Sequence, residues 1–167
     1  MRKITGFKGF TMIELMIVAV AIGIFSAIAI PRFGKVMTKL KLKSAARDVT
    51  STLRLARSNS VSQKRPFGVY FDVQNGQYIL FEDKVNLSSY TYEVGDSAIQ
   101  TANLPENVDF GYASFNNSTV IFRPNGSASS SGMVDVWSYD VYDYLWVDVL
   151  ASTGRVKLVK QSYEAYY

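Results

Sequence analysis

The chain has no cysteine and no histidine. The first absence rules out a disulfide framework and any thiolate metal site, and it leaves the cellular compartment unread. The second removes Ser-His-Asp and Cys-His nucleophilic sites together with the usual zinc ligand sets, so only carboxylate, lysine or tyrosine chemistry remains. The pattern marks no pair of carboxylates that would converge in a pocket, and no glycine-rich phosphate loop leads into Lys-Ser or Lys-Thr. The expectation is a protein without catalysis, cofactor, metal or small-molecule substrate.

Charge of one sign is also scarce in places. Between residues 10 and 30 the only charge is Glu14, and between residues 32 and 65 ten Lys and Arg face Asp48 alone. Residues 66–167 reverse the balance, with five basic residues against twelve acidic ones. Most of the net charge of +4 comes from Arg2, Lys3 and Lys8, since residues 10–167 hold 15 basic and 14 acidic side chains. A length of 167 residues with 48% hydrophobic and 19% charged side chains fits one modest globular core plus an anchor. The chain reads as a basic stalk carrying an acidic head.

Residues 10–30 are 21 in number, and a helix rising about 1.5 Å per residue over that length matches the ~30 Å hydrocarbon layer of a bilayer. Arg2, Lys3 and Lys8 should hold the preceding end in the cytoplasm and send everything after Pro31 across. The apolar stretch is longer than that of a removable secretory signal and continues into a helical pattern, so cleavage after it is not expected. A carboxylate such as Glu14 inside this run costs about 3 kcal/mol unless it is paired. It needs a partner, unless it lies near enough to the cytoplasmic face to reach headgroup water, as in a plain signal anchor.

Beyond Pro31 the helical period resumes, with Leu42, Ala45, Ala46, Val49, Leu53 and Ala56 on one apolar stripe suited to packing on a head. Arg32, Lys39, Lys43, Arg47, Arg54 and Arg57 gather on another stripe as a basic rail. Such a rail is either a solvated face opposite acidic neighbours or a surface that attracts phosphate from lipid or nucleic acid. Ser58, Asn59, Ser60 and Ser62 and then Lys64-Arg65-Pro66 predict the helix end.

From residue 66 the pattern changes to short apolar runs between turn signals. Residues 67–73 and 77–81 flank Gln74-Asn75-Gly76, a strong hairpin signal. Further strands are predicted at 90–94, 108–112, 119–122, 133–137, 144–150 and 155–159, and 127–132 reads as a mobile surface loop. The Asp and Tyr residues between 135 and 148 predict an exposed strand face whose Val, Trp and Leu positions turn to the core, with a partner surface as the alternative. Tyr163, Tyr166 and Tyr167 at the end are a second candidate surface.

The run Gly9-Phe10-Thr11-Met12-Ile13-Glu14-Leu15 resembles the cleavage and methylation motif of type IV prepilins and type II secretion pseudopilins. Phe122-Arg123-Pro124-Asn125-Gly126 and the segment from Val147 to Val156 are similar to the carboxyl half of the GspH/FimT-like minor pilin subgroup. Together the resemblances cover residues 1–160 in outline, except the middle. They imply an α+β lollipop, in which a long N-terminal helix, membrane-spanning in its first half and amphipathic in its second, packs on an antiparallel β-sheet head. The implied segments are a cleaved cytoplasmic leader (1–9), a transmembrane and filament-core helix (10–30), a basic stalk (31–65) and an extracytoplasmic head (66–167).

The same resemblance implies that a prepilin peptidase and methyltransferase cuts after Gly9 and methylates Phe10. Glu14 would neutralise a neighbouring subunit's terminal amine within the filament, and Pro31 would sit where the helix leaves the inner membrane lipid. The implied role is that of a minor pilin or pseudopilin, starting or capping a filament with other pilins. The alternative is a DNA-binding minor pilin for uptake, through Arg155, Lys157 and Lys160. At the turn Gly154-Arg155-Val156-Lys157, lysine replaces the subgroup's second arginine and lacks its planar fork.

Overall fold

The computed structural model describes residues 9–160, with the side chains of residues 28–32 and 160 outside that description. Arg2, Lys3 and Lys8 of the expected leader and the closing Tyr163, Tyr166 and Tyr167 also lie outside the described residues. Among the described residues, one 52-residue α-helix, α1 (Met12–Gln63), precedes eight strands. These are β1 (Phe67–Asp72), β2 (Gln77–Glu82), β3 (Ser97–Asn103), β4 (Asp109–Ala113), β5 (Thr119–Phe122), β6 (Gly132–Ser138), β7 (Asp143–Leu150) and β8 (Arg155–Lys160).

Thr11 caps the start of α1, its hydroxyl accepting the Glu14 backbone N–H at 3.3 Å. Thr11-x-x-Glu14 is the spacing of a capping box. The helix continues through Pro31, which has no N–H to give the carbonyl four residues earlier. It stops where expected, with Lys64 in the left-handed region at φ 57° just before Arg65-Pro66.

The chain divides into two compact units, Met1–Met37 and Thr38–Tyr167. In the first unit the apolar side chains face outward: Met12, Ile13, Leu15, Met16, Ile17, Val18, Val20, Ile22, Ile24 and Phe25 are each 50–86% exposed. Among the described residues, no helix is long and apolar enough to cross a membrane.

In the second unit the predicted stripe is buried throughout, from Leu42 through Ala45, Ala46, Val49 and Leu53 to Ala56. It shares one core with alternate residues of two antiparallel four-stranded sheets, ordered β3-β2-β1-β5 and β4-β6-β7-β8. Val69 and Phe71 of β1, Val134 and Val136 of β6, and Val147 and Val149 of β7 exemplify the period-2 burial. The β1–β2 hairpin turns at Gly76, φ 60°, and the Asp72 carboxylate accepts the Asn75 backbone N–H at 3.1 Å.

Three sequence expectations are corrected. Residues 90–94 form no strand: Tyr90 has φ 50°, and Tyr92 leaves the chain to pack on the rings of Phe81 (4.9 Å) and Tyr70 (5.7 Å). Its aromatic character serves burial over the outer face of the first sheet rather than strand pairing. The strand of that region is β3, an edge strand of mostly exposed residues whose sequence Ser-Ala-Ile-Gln-Thr-Ala-Asn lacks strong alternation.

Residues 127–132 are not a loose loop. Ala128 is buried and donates its N–H to the Ala151 carbonyl at 2.8 Å, Ser129 donates its N–H to the Ile121 carbonyl at 2.7 Å, and Ser131 accepts the Ala151 N–H at 2.9 Å. Trp137 and Trp146, expected inward, stand half-buried on the outer face, because Val136, Leu145 and Val147 beside them in the strands take the inward positions.

Candidate functional site

The amino-terminal candidates belong to the first unit. Gly9 and Phe10 precede α1, with Phe10 78% exposed, and Glu14 is its third residue, exposed. A carboxylate there is favourably placed for the positive end of the helix dipole. Only the Glu14 backbone is engaged; among the described residues no side chain pairs with its carboxylate. Pro31 lies within α1, and its side chain is outside the described ones.

The carboxyl-terminal candidates lie on β8. Arg155 and Lys157 alternate with buried Val156 and face outward, Lys157 being directly cross-strand from Asp148. Lys160 ends the strand, and its side chain is outside the described ones.

What the sequence did not foretell is that two members of the basic rail join this turn. Arg57 donates from Nε to the Gly126 carbonyl at 3.0 Å, and Arg54 donates from an Nη to the Val156 carbonyl at 3.3 Å. Their spacing of three places them on neighbouring turns of one helix face. Two turns shape the approach: Gly126 at φ 82° and Gly154 at φ 60° take the left-handed conformation that favours glycine. Ser60, fully buried, holds the helix to the first of these turns, its hydroxyl 2.8 Å from the Arg57 carbonyl and 3.1 Å from the Arg123 carbonyl. Arg54, Arg57, Thr153, Gly154 and Arg155 line a cleft of about 600 Å³. The sequence signal was present in Gly126 and Gly154, but only the fold shows that they face the same helix.

A different cluster surrounds Asp96. Its carboxylate accepts backbone N–H groups from Lys84 (2.9 Å), Val85 (3.1 Å) and Glu93 (2.9 Å), closing the segment between β2 and β3. Asp83 is buried beside it, and its pKa is pushed up to about 6 by burial first, then by the charges of Asp96 and Glu93. Burial also raises Asp135, whereas the hydrogen bond from Arg65 holds Glu82 below the usual carboxylate range. Among the described residues no group of acids is arranged to hold a metal.

Two family models match the chain: a prokaryotic N-terminal methylation motif over residues 4–30, and type II transport protein GspH over residues 45–140, more than half the length. No curated protein matches it in sequence. Among solved structures, the minor pseudopilin EpsH from the type 2 secretion system of Vibrio cholerae is 14% identical with a TM-score of 0.56, covering 72% of this chain and 97% of that one. The type IV minor pilin FimU of Pseudomonas aeruginosa is 15% identical with a TM-score of 0.58, covering 77% of this chain and 97% of that one. At such identities the likeness concerns the fold, a long N-terminal helix packed on antiparallel sheets. With the methylation motif ahead of it and the minor-pilin fold around it, the matched segment settles the family: this chain belongs to the GspH family of pilin-like proteins.

Proposed function

We propose that this chain is a minor subunit of a type IV pilus or a type II secretion pseudopilus, assembled at the inner membrane, with a part in starting or capping the filament. Residues 1–9 are the cytoplasmic leader, cut after Gly9, and Phe10 is methylated. Residues 10–30 anchor the chain in inner-membrane lipid and later in the filament core, residues 31–65 form the stalk, and residues 66–167 are the periplasmic head. The chain performs no catalysis and binds other pilins or pseudopilins rather than a small molecule.

The observation that carries this reading is the state of Glu14. Its carboxylate meets no cation of the described chain and stands among apolar side chains that are 50–86% exposed. Such a surface needs a cover of lipid or protein, and a carboxylate within that cover needs a cation. A neighbouring subunit's terminal amine supplies one and sets the register at the same time.

Nothing favours the DNA alternative to a comparable degree: Arg155 and Lys157 stand in a head whose acids outnumber its bases twelve to five, which opposes the approach of a polyanion. The test is Glu14→Ala in cells that assemble the filament. Cleavage, read as a mobility shift, should persist, while incorporation into sheared filaments falls at least tenfold. Normal incorporation would refute the pairing role. A locus encoding a pilus apparatus, as opposed to one encoding secretion components, decides between the two filaments.

A further inference from the structure

Among the described residues, the cations Arg54, Arg57 and Arg155 that line the cleft have no counter-ion. The ion pairs among the described residues are Lys41–Glu106, Arg65–Glu82 and Lys84–Glu82, and none involves these arginines. Each guanidinium carries five N–H donors. Among the described residues, Arg54 spends one on the Val156 carbonyl, Arg57 spends its Nε on the Gly126 carbonyl, and Arg155 donates only from its backbone N–H, to the Thr153 hydroxyl. The two carbonyl contacts fix the guanidiniums of the helix arginines, leaving the remaining Nη donors of Arg57 free. The approach depends on glycine: a Cβ at Gly154 would lie 3.0 Å from Nε and 3.2 Å from Cδ of Arg57.

We propose that this cleft is a carboxylate-recognition site that receives an Asp or Glu side chain from a loop of a partner protein. Planar guanidiniums bind a carboxylate through paired, charge-assisted hydrogen bonds, and fixing them beforehand lowers the entropy cost of that geometry. The site is a concavity of about 600 Å³ in which Leu150 and Val156 add apolar wall, a shape that suits a side chain with its methylenes. A nucleic acid would have to run beyond the cleft across a head with twelve acids and five bases. A single carboxylate needs only the local cluster. In the filament reading the partner is an adjoining subunit, but recognition of the carboxylate does not depend on that reading and is measured separately.

The experiment uses the full chain in detergent micelles and the peptide Ser-Asp-Glu-Ser-amide, labelled with fluorescein on its terminal amine, with its identically labelled Asn-Gln counterpart as control. Anisotropy should show the acidic peptide binding at least about tenfold more tightly than the amide peptide, with the preference shrinking as salt rises. Arg155→Ala removes an exposed side chain that holds nothing in the fold, and it should weaken acidic-peptide binding by about tenfold. Arg57→Lys, which keeps charge but loses the fork, should weaken it as well. Equal affinity for the two peptides, or no effect of Arg155→Ala, would overturn the proposal. Tighter binding of a thymidine oligonucleotide than of the peptide, with the same dependence on Arg155, would overturn it in favour of phosphate. None of these outcomes bears on whether Glu14 directs assembly.

Discussion

The α-carbon of Gly154 faces the carbonyl oxygen of Gly126 so closely that a Cβ on Gly154 would overlap it. Gly154 immediately precedes β8 and Gly126 follows β5, so the contact joins turns next to strands of the two different sheets. The Gly126 carbonyl is also the acceptor for Arg57, which places the helix, the first sheet and the second sheet at one point.

Gly154→Ala should therefore lower stability by about 2–4 kcal/mol, the left-handed φ and the backbone overlap acting together. Gly126→Ala should cost only about 1 kcal/mol, because its Cβ would meet Arg57 and Val61 at 3.4 Å, ordinary contact, and only the φ of 82° is unfavourable. Urea denaturation of the full chain in detergent, followed by the midpoint at unchanged slope, measures both. Equal losses would show that the turn-to-turn contact adds nothing.

The helix face was legible before the fold because burial has the helical period: each residue of the stripe from Leu42 to Ala56 sits in the core. Most strands were legible for the same reason at period 2. The failures occur where burial and pairing separate. Tyr92 is half-buried against other rings without being in a strand, and Ile99 is in a strand while 51% exposed, so the run at 90–94 attracts the assignment that belongs to β3. Arg54 and Arg57 read only as members of the basic rail, either solvated or phosphate-attracting, because their acceptors, the carbonyls of Val156 and Gly126, lie 102 and 69 residues away and carry no side-chain signature.

The stripe yields a paired test. Leu53 is fully buried between α1 and the sheets, whereas Leu55 on the same helix is 44% exposed. Leu53→Ala should destabilise by about 3 kcal/mol through lost burial and the cavity left behind, and Leu55→Ala by less than about 1 kcal/mol. Denaturation midpoints check the difference. Similar losses would mean that the helix packs on the sheets through another face.

Asp83 gives the fold a pH dependence of definite sign. Its carboxyl is buried, and its pKa rises from 3.8 to about 6 on folding, by burial first and then by the charges of Asp96 and Glu93. The folded state thus holds the proton more tightly than the unfolded chain, and ionisation works against folding. The contribution is fully favourable below about pH 4, falls between about pH 4 and 6, and is lost above that range. Asp83→Asn keeps a neutral group of the same shape, so it should remove this fall and raise stability at about pH 7 by on the order of 1 kcal/mol after allowance for solvent screening. Asp135, raised by burial, adds a decline of the same sign, and Glu82, lowered by Arg65, opposes it. The quantity to measure is therefore the difference between wild type and Asp83→Asn in urea midpoints at about pH 4.5 and about pH 7. A difference that does not grow with pH would show that Asp83 ionises as readily in the folded chain as in the unfolded one.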